Sequence, residues 1–92
     1  MKAKDVNPSN FIVEHIVFEN EDFSVVIGLW EGESRCMAMR WNGENNDPGY
    51  PKLFNNPVWF IVEKSLALPF LNSLRYVANS DKKEIEKAIQ KF

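Results

Sequence analysis

Between Phe11 and Trp41 the chain holds three strand-like runs, the first rich in β-branched and aromatic residues, separated by polar turns too short for any crossover. The runs are Phe11 to Phe18, Phe23 to Trp30 and Ser34 to Trp41, and the turns are Glu19-Asn20-Glu21-Asp22 and Glu31-Gly32-Glu33. Such runs read as strands. Parallel strands need a connection of a dozen residues or more, so these three fold as an antiparallel meander. Strand side chains alternate between faces. Phe23, Val25, Ile27 and Leu29 therefore share one face, which is expected to be core. In the third strand Met37, Met39 and Trp41 share one face, and Cys36, Ala38 and Arg40 share the other.

Outside that meander the signals are of different kinds. Residues 1–10, with Pro8 and two Asn, read as an irregular lead-in. Asn42 to Asn56 holds five Asn, two Gly and two Pro and reads as a long loop, partly packed through Tyr50, Leu53 and Phe54. Pro57 to Val62 reads as a fourth strand, with Pro57 at its first residue. A helix is expected from Ser65 to about Ala78, with Pro69 in its first turn and Leu66, Phe70, Leu74 and Val77 as its apolar stripe. A second helix runs to Phe92, capped by Ser80 or Asp81, with Glu84 at the capping-box position. Its stripe is Ile85, Ala88, Ile89 and Phe92.

Composition narrows the class. The chain has 92 residues, 45% hydrophobic and 26% charged, which fits one globular domain over residues 1–92. Residues 1–63 carry 5 basic and 10 acidic side chains, and residues 64–92 carry 6 and 3. Nucleic-acid binders usually show a stronger basic excess. Cys36 is the single cysteine, so no internal disulfide forms, and a cytoplasmic location is expected. The N-terminal residues carry no apolar signal-like run, and the longest apolar run, Trp59 to Val62, is far too short to span a membrane.

The chemistry-bearing residues are few. His15 is the only histidine and the candidate general base. A thiolate–imidazole pair with Cys36 would require the two strands to bring them together. One His and one Cys are too few for a dedicated zinc site. Glu44 and Asp47 lack EF-hand spacing, and no phosphate-cradling glycine loop is present. No cofactor or metal is expected. The most distinctive stretch is aromatic: Trp41, Tyr50 and Trp59 flank the long loop and are expected to gather at one end of the sheet, with Arg40 as a carboxylate fork and Asn42 beside it. Arg40, Trp41, Tyr50 and Lys52 also outline a single-strand nucleic-acid platform.

Arg40-Trp41-Asn42-Gly43, Gly49-Tyr50-Pro51, the segment Pro57 to Ile61 and Leu68-Pro69-Phe70-Leu71 together resemble small bacterial proteins of the mobile integron gene-cassette type. The resemblance spans roughly residues 38–75. It implies a compact bacterial α+β protein, often oligomeric, and carries over no catalytic residue.

The expected architecture is α+β: an antiparallel sheet of three or four strands followed by two C-terminal helices packed on one face. The expected function is a non-enzymatic binding or protein-interaction module. It would bind a small molecule or a protein through Arg40, Trp41, Asn42, Tyr50 and Trp59, and act as a homodimer. The alternatives are a small enzyme built around His15 and a single-strand nucleic-acid binder.

Overall fold

A computed structural model describes residues 1–92. Strands β1 (Phe11–Glu19), β2 (Phe23–Trp30) and β3 (Ser34–Trp41) form the expected antiparallel meander. The long loop then folds a two-residue hairpin, β4 (Lys52–Leu53) with β5 (Asn56–Pro57). Strand β6 (Phe60–Ile61) pairs antiparallel with Ala38 and Met39, giving the sheet order β1-β2-β3-β6. Helices α1 (Lys64–Ser73) and α2 (Lys82–Gln90) complete the α+β fold. No helix is long and apolar enough to cross a membrane.

The turns explain the register. Asn20 Oδ1 accepts the backbone N–H groups of Asp22 and Phe23 at 2.8 Å each, an Asx turn that closes β1 onto β2. Two register shifts interrupt β1, one between Val13 and His15 and one between Ile16 and Phe18. Each inserts an extra residue and moves the following side chain to the other face. Simple alternation would put Phe11, Val13, His15 and Val17 on one face. The first shift instead leaves Phe11 and Val13 on one side and sends His15 and Val17 to the other.

Both faces of the sheet are therefore covered. Under the helices lie Val17, Val25, Ile27 and Met37, packed against Val62, Ala67, Leu71, Leu74, Ile85 and Ala88. On the opposite face Phe11, Val26, Cys36 and Ala38 pack against Ala3, Val6 and Trp59. Phe11 lies directly over Gly28, where an added Cβ would come within 2.5 Å of its ring and 2.3 Å of the Ile12 carbonyl oxygen. The N-terminal segment is thus part of the second core: Ala3–Asp5 form a 3-10 turn, and Ala3 and Val6 are fully buried. It is pinned by Ala3 N–H donating to Glu19 at 2.7 Å and by Trp59 Nε1–H donating to the Val6 carbonyl at 3.1 Å. Leu29 is only partly buried, because it lies where that shared face runs out toward the β2–β3 turn.

The helices differ from expectation in detail. The buried line of α1 is Ala67, Leu71 and Leu74, while Leu66 and Val77 are exposed. The small Ala67 lets the helix approach the sheet, so the buried stripe is rotated by one residue from the one marked by the large side chains. Because α1 starts at Lys64, Pro69 lies in its second turn. After Ser73 the chain tightens into a 3-10 turn, Leu74–Tyr76. In α2 the cap is Asp81, whose carboxylate accepts from the N–H groups of Lys83 and Glu84. Ile85 and Ala88 are buried as the periodicity requires.

Candidate functional site

Alternation along β3 separates the expected site residues. Arg40 points to the face of the second core and is 1% exposed. Its Nη1 donates to the carbonyl of Val58 at 2.7 Å and of Pro51 at 3.4 Å, and its Nη2 donates to the carbonyl of Pro48. The guanidinium carbon lies 5.9 Å from the centre of the Trp59 ring. No carboxylate pairs with it, Nε has no partner, and burial lowers its pKa. The side chain is a clamp on three main-chain carbonyls of the segment that follows β3. It does not present a fork to a carboxylate ligand.

Asn42 is likewise buried and internal. Its Nδ2 donates to the Asn20 carbonyl at 3.1 Å, and its Oδ1 lies 2.7 Å from the Ser24 hydroxyl. Its backbone N–H donates to Asp22, and its carbonyl accepts from the N-terminal ammonium at 2.6 Å. Trp59 is 6% exposed and stacks obliquely on Phe11 with 6.1 Å between ring centres. These three residues hold the fold together and do not meet solvent as a site.

Trp41 and Tyr50 do meet, and they are open. Their backbones exchange both hydrogen bonds, at 2.7 and 3.0 Å, so their side chains share one face. Gly49 permits the approach: its φ is +69°, and a Cβ there would sit 2.2 Å from the Trp41 carbonyl oxygen. Trp41 is 57% exposed and Tyr50 is 65% exposed. Phe23 lies opposite Trp41 on β2, edge-on to it at 4.9 Å. Two residues back along β3, Met39 faces the same side, and its partner on β6 is Phe60, which is 58% exposed. Phe23, Met39, Trp41, Tyr50 and Phe60 thus form two adjacent cross-strand rows on the helix side of the sheet, at the end of β3. None of the five carries a charge at neutral pH.

Phe60 is the residue that sequence reasoning missed in favour of Trp59. Neighbours in an extended segment face opposite sides, so only one of the two could join Trp41. Pairing of Phe60 with Met39 decides which. The hairpin beside the rows is also unusual. Phe54 and Asn55 have φ of 51° and 65°, a left-handed pair suited to Asn-Gly rather than to Phe. Phe54 is 90% exposed at this tip.

The other candidates are placed as follows. His15 Nε2 lies 3.0 Å from a Glu84 carboxylate oxygen and 3.2 Å from the Glu84 carbonyl, joining β1 to the first turn of α2. Cys36 pairs with Gly28 and His15 with Ile27, so they occupy opposite faces of the sheet and cannot form a dyad. Burial raises the Cys36 pKa, an effect that a bond to the Trp30 backbone tempers, so the thiol stays protonated. No group of three or more His, Cys, Asp or Glu side chains is disposed to hold a metal ion. Concave space lies elsewhere. A polar recess of about 590 Å³ opens beside Met1, Asp5, Asp22 and Glu44, and a groove of about 920 Å³ runs beside Trp30, Arg35, Leu68 and Phe92.

No family model matches the chain, and no curated protein or solved structure is similar to it.

Proposed function

We propose that this protein is a non-enzymatic protein-interaction module whose working surface is the open aromatic face at the end of β3. One observation carries the reading: Trp41, Tyr50 and Phe60 stand more than half exposed, side by side, next to Phe23 and Met39. Large apolar side chains gathered on one face of a monomer mark a surface that another protein covers. Trp and Tyr are also the residues that most often dominate interface energies. The recesses beside Met1 and beside Trp30 are lined by none of these five side chains, which favours a protein over a small molecule.

The rival readings have less support. In the nucleic-acid platform the guanidinium of Arg40 is buried against carbonyls, which leaves Lys52 as its sole exposed cation. His15 has a carboxylate beside it, the one observation that favours an enzyme. The recess there is lined by Ala3, Lys4, Asn7, Val13, Glu14, Ile16 and Glu84, which offer no hydroxyl or thiol nucleophile. The pair acts instead as a strut between strand and helix.

A photo-cross-linking amino acid in place of Trp41 or Phe60, in cells expressing the chain, tests the reading. Protein adducts are expected from both positions and not from Glu86 on the outer surface of α2. Absence of any protein adduct from positions 41 and 60 would overturn it.

A further inference from the structure

We infer that the occupant of this aromatic face is a second copy of the same chain, docked about a two-fold axis. The inference rests on the interaction-module reading and adds the identity of the partner.

The first argument is charge. A charged partner, whether an acidic peptide or a nucleic acid, would set its ionised groups against carbon on this face, because Phe23, Met39, Trp41, Tyr50 and Phe60 offer no counter-charge. A second copy brings the same uncharged rows and meets no like-charge repulsion at the centre. Isologous two-fold pairing needs a self-complementary patch of this kind, and homodimer interfaces are the more apolar class.

The second argument is area. At the exposures given above, the three open aromatics offer about 300–450 Å² between them. With the partly buried Phe23 and Met39 the total comes to roughly 400–600 Å² per partner, the low end of specific interfaces. Only 21 of the 92 residues are buried in the single chain. Small domains gain proportionately most from covering a shared face.

Sedimentation equilibrium of the full chain, from low micromolar to near-millimolar concentration, is the test. A monomer–dimer equilibrium is expected. Trp41→Asp and Phe60→Asp should each weaken it by about 30-fold or more, as loss of a central aromatic anchor does. Ile12→Ser removes an exposed apolar side chain at the far end of the sheet and should leave the equilibrium unchanged. Far-ultraviolet circular dichroism checks that each variant folds, and Trp41→Ser and Phe60→Ser serve if an Asp variant does not. A chain that stays monomeric throughout, or a dimer indifferent to position 41 and position 60, overturns the inference. Cross-links from position 41 to a different protein, with a monomeric chain, would remove the second copy as partner and keep the interaction module. Absence of every adduct would remove both.

Discussion

Arg40 and Trp41 are adjacent in the chain and lie on opposite faces of one sheet, and their fates invert the usual rule. The cation is buried among carbonyls, and the indole stands in solvent. A like split occurs at the neighbouring strand β6, where Trp59 is inside and Phe60 outside. The sealed side, made by Arg40, Asn42 and Trp59, fixes the N-terminal segment and the loop after β3. The open side, made by Trp41, Tyr50 and Phe60, leaves more than half of each side chain in solvent, with Trp41 edge-on to Phe23 as its aromatic contact within the chain. Large apolar side chains left more than half in solvent are best explained by what covers them from outside.

That contrast can be broken at several points. Trp59→Ala should have the largest effect, about 3–5 kcal/mol of lost stability in urea unfolding, because it empties the second core and strands the Val6 carbonyl. If Trp59→Ala were as mild as Trp41→Ala, the division into sealed and open sides would be wrong. Arg40→Met comes next. It leaves the carbonyls of Pro48 and Val58 without their Arg40 donor, while Pro51 keeps the Val58 N–H and the apolar stem still fills space, and should cost about 2–3 kcal/mol. Hydrogen exchange should quicken chiefly in residues 42–58.

Gly28→Ala sharpens the picture of the sealed face. The added methyl meets the Phe11 ring and a main-chain oxygen, so β1 must shift, at about 1–3 kcal/mol. The smallest effect belongs to the surface pair Glu14–Arg35, joined at 3.0 Å. Its hydrogen bond to Arg35 holds the Glu14 carboxyl below the ordinary value of 4.5. A lowered folded-state pKa stabilises above the unfolded value and loses that contribution as pH falls through the folded one. The stability difference between the native chain and Glu14→Gln should therefore be small at pH 7, shrink as pH falls below the ordinary value of 4.5, and vanish once pH is below the lowered folded-state value. A difference that grew on acidification would contradict the assignment.

Much of the framework was legible because it depends on local pattern. The short turns at Asn20 and Gly32 dictated an antiparallel meander, and Asp81 with Ile85 and Ala88 marked α2. What was not legible depends on long-range pairing. No residue type announces the register shifts in β1 that separate Val13 from His15. Ala3 and Val6 become core only because Trp59 and Phe11 meet them from distant parts of the chain. The arrangement of the candidate residues was half legible. Trp41 and Tyr50 come together as expected, yet a single site containing both Arg40 and Trp41 conflicts with strand alternation. Between Trp59 and Phe60, the larger aromatic was the misleading choice.

The most direct test uses 5-fluorotryptophan in the full chain, with fluorine NMR signals assigned through single Trp→Phe variants. The solvent isotope shift between H₂O and D₂O reads exposure of each ring. Trp41 should show a full shift when dilute and lose it as concentration rises and a partner covers the face, while Trp59 shows none at any concentration. A Trp41 signal that stays fully solvent-shifted at every concentration, with no partner protein able to quench it, would contradict an interaction face at the end of β3.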